Sequence, residues 1–180
     1  MTTINVFIDT STVNRILRIT EAEDSNLKYE EDRLYLSKII EDYVNKGLIC
    51  LIVNPSVKDE IEQTKDAKEK AKLLALFNQL KFTPYNKTVF PFTFPAHFVS
   101  AEDEKMLKDI RAKIPGFEKD EKIFLDALSN SEIHVLLTTD RKHLADKGLD
   151  TYGIPIFTPR QLFEYVRNKA LEGTSQEPQT

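Results

Sequence analysis

Four acidic side chains stand at places where a fold could gather them. Asp9 and Asp140 follow short apolar runs, Asp120 opens a helical pattern, and Glu60 lies at the margin of another. Carboxylates brought together repel and raise one another's pKa values. A hard divalent cation removes that conflict, and Mg2+ or Mn2+ favours carboxylate and water oxygens. Such an ion can bind a phosphate oxygen, lower the pKa of a water molecule and stabilise the charge of an in-line displacement. The hydroxyls of Ser11, Thr138 and Thr139 adjoin these acids in sequence and are candidates to orient a carboxylate or the attacking water. Arg141, Lys142 and His143 follow Asp140 directly and are candidates to meet phosphates. No histidine or cysteine is expected at these edges, which argues against zinc.

The elements that would position these groups are readable from periodicity. With Asp120 opening a helix, steps of about 100° place Ile123, Phe124, Ala127 and Leu128 on one face with Asp120 at its middle. Asp126 falls off that face, toward solvent. Ile133 to Leu137 suits a strand buried on both faces, ending in Thr138, Thr139 and Asp140. Ile4 to Ile8 is a second such run and ends in Asp9. In an open parallel sheet, ligands bind at the carboxyl ends of the strands, and the helix feeding a strand starts at that same edge. Asp9, Asp120 and Asp140 are therefore expected on one edge.

The rest of the chain repeats strand then helix. Thr10, Ser11 and Thr12 offer hydroxyls for an N-cap, and Val13, Ile16 and Leu17 have helical spacing. Residues 19–33 read as a loop or weak helical extension. Leu36, Ile39, Ile40, Tyr43 and Val44 form an amphipathic stripe that Gly47 is placed to stop. Leu48 to Val53 is the next strand. Ser56, with Asp59 three residues on, signals a helix whose inward face carries Val57, Ile61 and Thr64. Leu73, Leu76, Phe77 and Leu80 define another, after the charged stretch from Lys65 to Lys72. Lys81 to Tyr85 suits an edge strand, and Phe90 to Phe98 an ordered loop with aromatic anchors. Ser100 with Asp103 opens a helix through Ile114, stopped near Pro115 and Gly116. Ile154 to Phe157 is an edge strand, because of Pro155. Thr158, Pro159 and Gln161 then cap a last amphipathic helix. Alternation of this kind gives an α/β fold, a three-layer α/β/α sandwich with a mostly parallel central sheet. Residues 1–171 are expected to form a single domain and 172–180 a disordered tail.

Bulk composition sets outer limits. The 180 residues, 41% hydrophobic and 30% charged, suit one globular domain. The formal net charge of -4 argues against an all-over nucleic-acid-binding surface but leaves room for a local basic rim. Cys50 is the only cysteine, and with no second cysteine there is no intrachain disulfide. It and His134 are expected to be ordinary strand residues. The N-terminus lacks a basic region followed by an apolar core, and no apolar run is long enough to span a bilayer. A cytoplasmic location and no membrane partner are expected.

Several of these stretches resemble one family. FIDTS (Phe7 to Ser11), NPSVKDEI (Asn54 to Ile61), KDEKIFLDAL (Lys119 to Leu128) and LLTTDRKHL (Leu136 to Leu144) resemble the four acidic motifs of the PIN domain family. IPIFTPRQLFEYV (Ile154 to Val166) looks like that family's final strand and helix. The resemblance implies a parallel sheet between helices and a Mg2+- or Mn2+-dependent endoribonuclease leaving 5′-phosphate and 3′-hydroxyl ends. It carries the metal acids onto Asp9, Glu60, Asp120 and Asp140. It also implies an RNA substrate, an antitoxin or other protein partner, and a homodimer. Asp126 departs from the family pattern, and residues 81–115 are longer than in its compact toxins.

Two other classes compete. A catalytically silent PIN-fold scaffold shares the architecture without the chemistry. Asp9-Thr10-Ser11 also resembles the start of the metal-adhesion motif of von Willebrand A-type domains, but Val13 stands where that motif needs a hydroxyl. A haloacid dehalogenase-type phosphatase needs a second acid where Ser11 stands.

Overall fold

The computed structural model describes residues 3–20, 29–53, 55–79, 83–84, 101–116 and 118–174. The aromatic stretch from Phe90 to Phe98, Leu80, Ser100 and residues 175–180 lie outside the described residues. Within them the chain is a three-layer α/β/α sandwich around a parallel five-stranded sheet of order β3-β2-β1-β4-β5. The strands are β1 (Ile4–Ile8), β2 (Ile49–Val53), β3 (Thr83–Pro84), β4 (Val135–Leu137) and β5 (Ile156–Phe157). The helices are α1 (Thr10–Thr20), α2 (Glu30–Ile39), α3 (Pro55–Glu62), α4 (Ala67–Gln79), α5 (Ala101–Lys113), α6 (Glu118–Leu128) and α7 (Pro159–Thr174).

Alternate strand residues serve different layers, as a sheet covered on both faces requires. Val6, Ile8, Leu51, Val53, Val135 and Leu137 pack with α1, α2, α3, α4 and α7. Phe7, Ile52 and Leu136 face the other way, into a core with Ile110 of α5, Ile114 just after it, and Ile123 and Phe124 of α6. Burying each such side chain contributes about 1.5–3 kcal/mol before entropy is counted.

This layering fixes where a ligand site can be. From β1 the chain moves outward to β2 and β3, with α1 to α4 on one face. It then returns past β1 to β4, with α5 and α6 on the other face. The strand order therefore reverses between β1 and β4, and a crevice opens at such a reversal beyond the strands' carboxyl ends. Ile8 pairs with Leu137, so Asp9 and Thr138 leave the sheet side by side at that point.

Several local expectations are corrected. The cap of α1 is Asp9, not a hydroxyl: its Oδ1 accepts the Thr12 backbone N–H at 2.8 Å. Helix α3 begins at Pro55, which puts Ser56 inside its first turn. Beyond Ile39 the stripe of α2 continues as one π-helical turn, Ile40–Val44. Helix α7 reaches Thr174, past the domain boundary expected at 171. The largest correction is Asp126, which is 0% exposed rather than solvent-facing. The five residues Ile123 to Ala127 are all buried, so α6 is covered on more than the one side its apolar stripe indicates. Among the described residues, no helix is long and apolar enough to cross a membrane.

Candidate metal centre

Asp9 is set by two elements at once. It ends β1 and caps α1, and only 2% of it is exposed. Its Oδ2 accepts hydrogen bonds from Thr138 Oγ1 at 2.6 Å and Ser11 Oγ at 2.7 Å. Ser11 Oγ also lies 2.9 Å from Thr139 Oγ1, so all three expected hydroxyls meet around Asp9. Thr12, which sequence reasoning had treated only as a capping hydroxyl, ties α1 to β4 by donating to the Leu137 carbonyl at 3.2 Å. Burial pushes the Asp9 pKa up, against hydrogen bonds from Thr12, Thr138 and Ser11 that favour the anion.

Asp140 is held by the turn that follows β4. Its backbone N–H donates to Thr138 Oγ1 at 2.9 Å. Its Oδ1 accepts the His143 backbone N–H at 3.0 Å, and its Oδ2 lies 2.8 Å from His143 Nδ1. Asp120, in the first turn of α6, comes to the same place from the helical layer packed on that sheet. One ligand atom each from Asp120, Asp140 and His143 lie within 4.8 Å of one another. Burial pushes the Asp120 pKa up to about 6, helped by the charges of Asp140, Asp9 and Glu60 and opposed by His143. Asp9 and Glu60 thus shape the field at Asp120, although neither belongs to that three-residue group.

The expectation of no histidine at this edge is overturned by His143. Its signal was present in the sequence: a histidine three residues after a strand-terminal aspartate can reach back with both backbone and ring. His134 behaves as a strand-end residue, its Nδ1 accepting the Asn5 backbone N–H at 2.9 Å. Arg141 and Lys142, both expected phosphate contacts, differ. Both are exposed, but Arg141 is ion-paired, its Nη2 lying 3.3 Å from both Glu31 and Asp32.

The donor chemistry fits a divalent cation. Two carboxylates and an imidazole converge, and burial together with the charges of Asp140, Asp9 and Glu60 raises the proton affinity of Asp120. Compared with known proteins, the sequence matches no protein-family model and no curated protein.

Proposed function

We propose that this chain is a metal-dependent endoribonuclease of the PIN type, holding Mg2+ or Mn2+ between Asp120 and Asp140. The observation that carries this reading is the meeting of Asp120, from helix α6, and Asp140, from the turn after β4, at the edge where strand order reverses. A cation bound there supplies positive charge for a phosphate oxygen and lowers the pKa of a water molecule. The protein's own part is placement. Asp120 and Asp140 hold the ion, Glu60 and Asp9 add negative potential, and Thr138 and Ser11 fix the Asp9 carboxylate. Thr139 and Ser11 present hydroxyls beside it. Lys142 is exposed for a phosphate of single-stranded RNA. The same reading gives a cytoplasmic protein that forms a homodimer or pairs with an antitoxin.

The deciding experiment follows end-labelled single-stranded RNA with Mn2+ for the wild type and Asp120→Asn. Wild type is expected to cut it, leaving 5′-phosphate ends. Asp120→Asn is expected to keep the fold by circular dichroism and lose cleavage. Full activity in that variant overturns the reading.

One observation favours a silent scaffold instead. Asp9 already has three hydrogen-bond donors, so the fold gives it a structural role without any ion. Calorimetry with Mn2+ separates the two, because a scaffold binds no metal.

A further inference from the structure

His143 and Asp140 face each other in a way that bears on which ion the site takes. The His143 backbone N–H holds Asp140 Oδ1, and this fixes the rotation of the carboxylate. Asp140 Oδ2 then lies 2.8 Å from His143 Nδ1. A proton can bridge two such atoms, and so can a cation. Adjacent ligands of an octahedral ion, with bonds near 2.1 Å, stand about 3 Å apart. The spacing present in the fold therefore already suits two neighbouring ligands. Asp120 brings a third donor atom within 4.8 Å of both. Three protein donors leave the remaining positions of an octahedron for water and phosphate oxygens. Imidazole nitrogen suits transition ions better than Mg2+, and of the two ions that the nuclease reading admits, Mn2+ is the transition ion.

We propose that His143 is a direct nitrogen ligand, and that Asp120, Asp140 and His143 form a centre preferring Mn2+ over Mg2+. This deepens the nuclease reading and rests on it. It adds a donor that the acidic motifs do not contain, and it names the class of ion. The alternative role for His143 is positioning only, through its hydrogen bond to Asp140.

The test uses the full chain with MnCl2 and MgCl2. Calorimetry measures both affinities, and pulsed electron paramagnetic resonance on the Mn2+ complex looks for 14N coupling. Expected for the wild type are histidine nitrogen coupling and Mn2+ binding roughly tenfold or more tighter than Mg2+. In His143→Asn and His143→Gln the coupling disappears and the preference shrinks, while His134→Asn keeps both. Two variants at the site guard against one that fails to fold. Bound Mn2+ without nitrogen coupling, or an unchanged preference in folded His143 variants, overturns the proposal and leaves the nuclease reading standing if RNA is still cut. A wild type that binds neither ion overturns both.

Discussion

Thr138 Oγ1 donates a 2.6 Å hydrogen bond to Asp9 Oδ2, tying the residue after β4 to the residue after β1. The same oxygen accepts the Asp140 backbone N–H at 2.9 Å. One buried hydroxyl thus sets two of the acids at the strand-order reversal, and it links the sheet topology to the site.

That hydroxyl gives the first prediction. Thr138→Val keeps the shape but removes a donor from Asp9 and an acceptor from Asp140. Leaving buried polar groups unsatisfied costs about 1–3 kcal/mol. Urea unfolding should show a loss of that size, and Thr138→Ser should recover most of it. A Thr138→Val protein as stable as wild type would show that the hydrogen bond contributes nothing.

The architecture was readable because its signals are local. Apolar runs marked β1 and β2, and the acids at strand ends and helix starts followed from the edge rule for parallel sheets. What escaped depends on contacts between distant segments. Asp126 was assigned to solvent because a helical wheel assumes one covered face, and α6 is covered on more than one. The ion pairs of Arg141 were not readable because its acidic partners, Glu31 and Asp32, lie far away in sequence and meet it only in the fold. His143 fell between these cases: its spacing from Asp140 is local, but the approach of Asp120 is not.

Asp126 gives a pH dependence with a definite sign. Both its carboxyl oxygens are buried and without a hydrogen-bond partner. Burial pushes its pKa from 3.8 to about 7, with Lys122 opposing. The folded chain therefore holds this proton more tightly than the unfolded chain. The resulting stability is fully present below the unfolded pKa and is lost as pH rises through the folded one. A shift of this size corresponds to about 4 kcal/mol. Asp126→Ala should be more stable than wild type at pH 8, with the gap narrowing at pH 5, by urea unfolding at both. A gap that does not change with pH would refute this assignment.

Asp120 titrates in the same direction, with neighbouring charges added to the effect of burial. Burial and the charges of Asp140, Asp9 and Glu60 raise its pKa to about 6. In metal-free protein its contribution to stability falls as pH rises through that value. Asp120→Asn removes the repulsion, so the variant should melt higher than wild type at pH 7.5 in EDTA, by about 1 kcal/mol after solvent screening. Adding Mn2+ should raise the midpoint of the wild type but not of the variant. Scanning calorimetry reads both, and a variant stabilised by Mn2+ as much as wild type would remove Asp120 from the ion.

Arg141 and Lys142 are neighbours with different tasks, and one pair of substitutions separates them. Arg141 Nη2 reaches Glu31 Oε2 and Asp32 Oδ1, both at 3.3 Å, and Asp32 is 5% exposed. Arg160 Nη1 joins the same Glu31 at 3.2 Å, so the guanidiniums after Asp140 and at the start of α7 share one acid of α2. Arg141→Ala strips a buried carboxylate of its ion pair. Its cost is about 1–3 kcal/mol, reduced because half of the Arg141 side chain is exposed. Lys142 is exposed, so Lys142→Ala should stay within about 0.5 kcal/mol of wild type. RNA binding should show the reverse order. In an Asp120→Asn background that prevents cleavage, Lys142→Ala should weaken binding and reduce the salt slope by about 1, as loss of one phosphate contact does. Urea unfolding and RNA affinity at two salt concentrations measure the two effects. A larger loss of RNA affinity from Arg141→Ala, at unchanged stability, would mean that Arg141 leaves Asp32 to meet the phosphate.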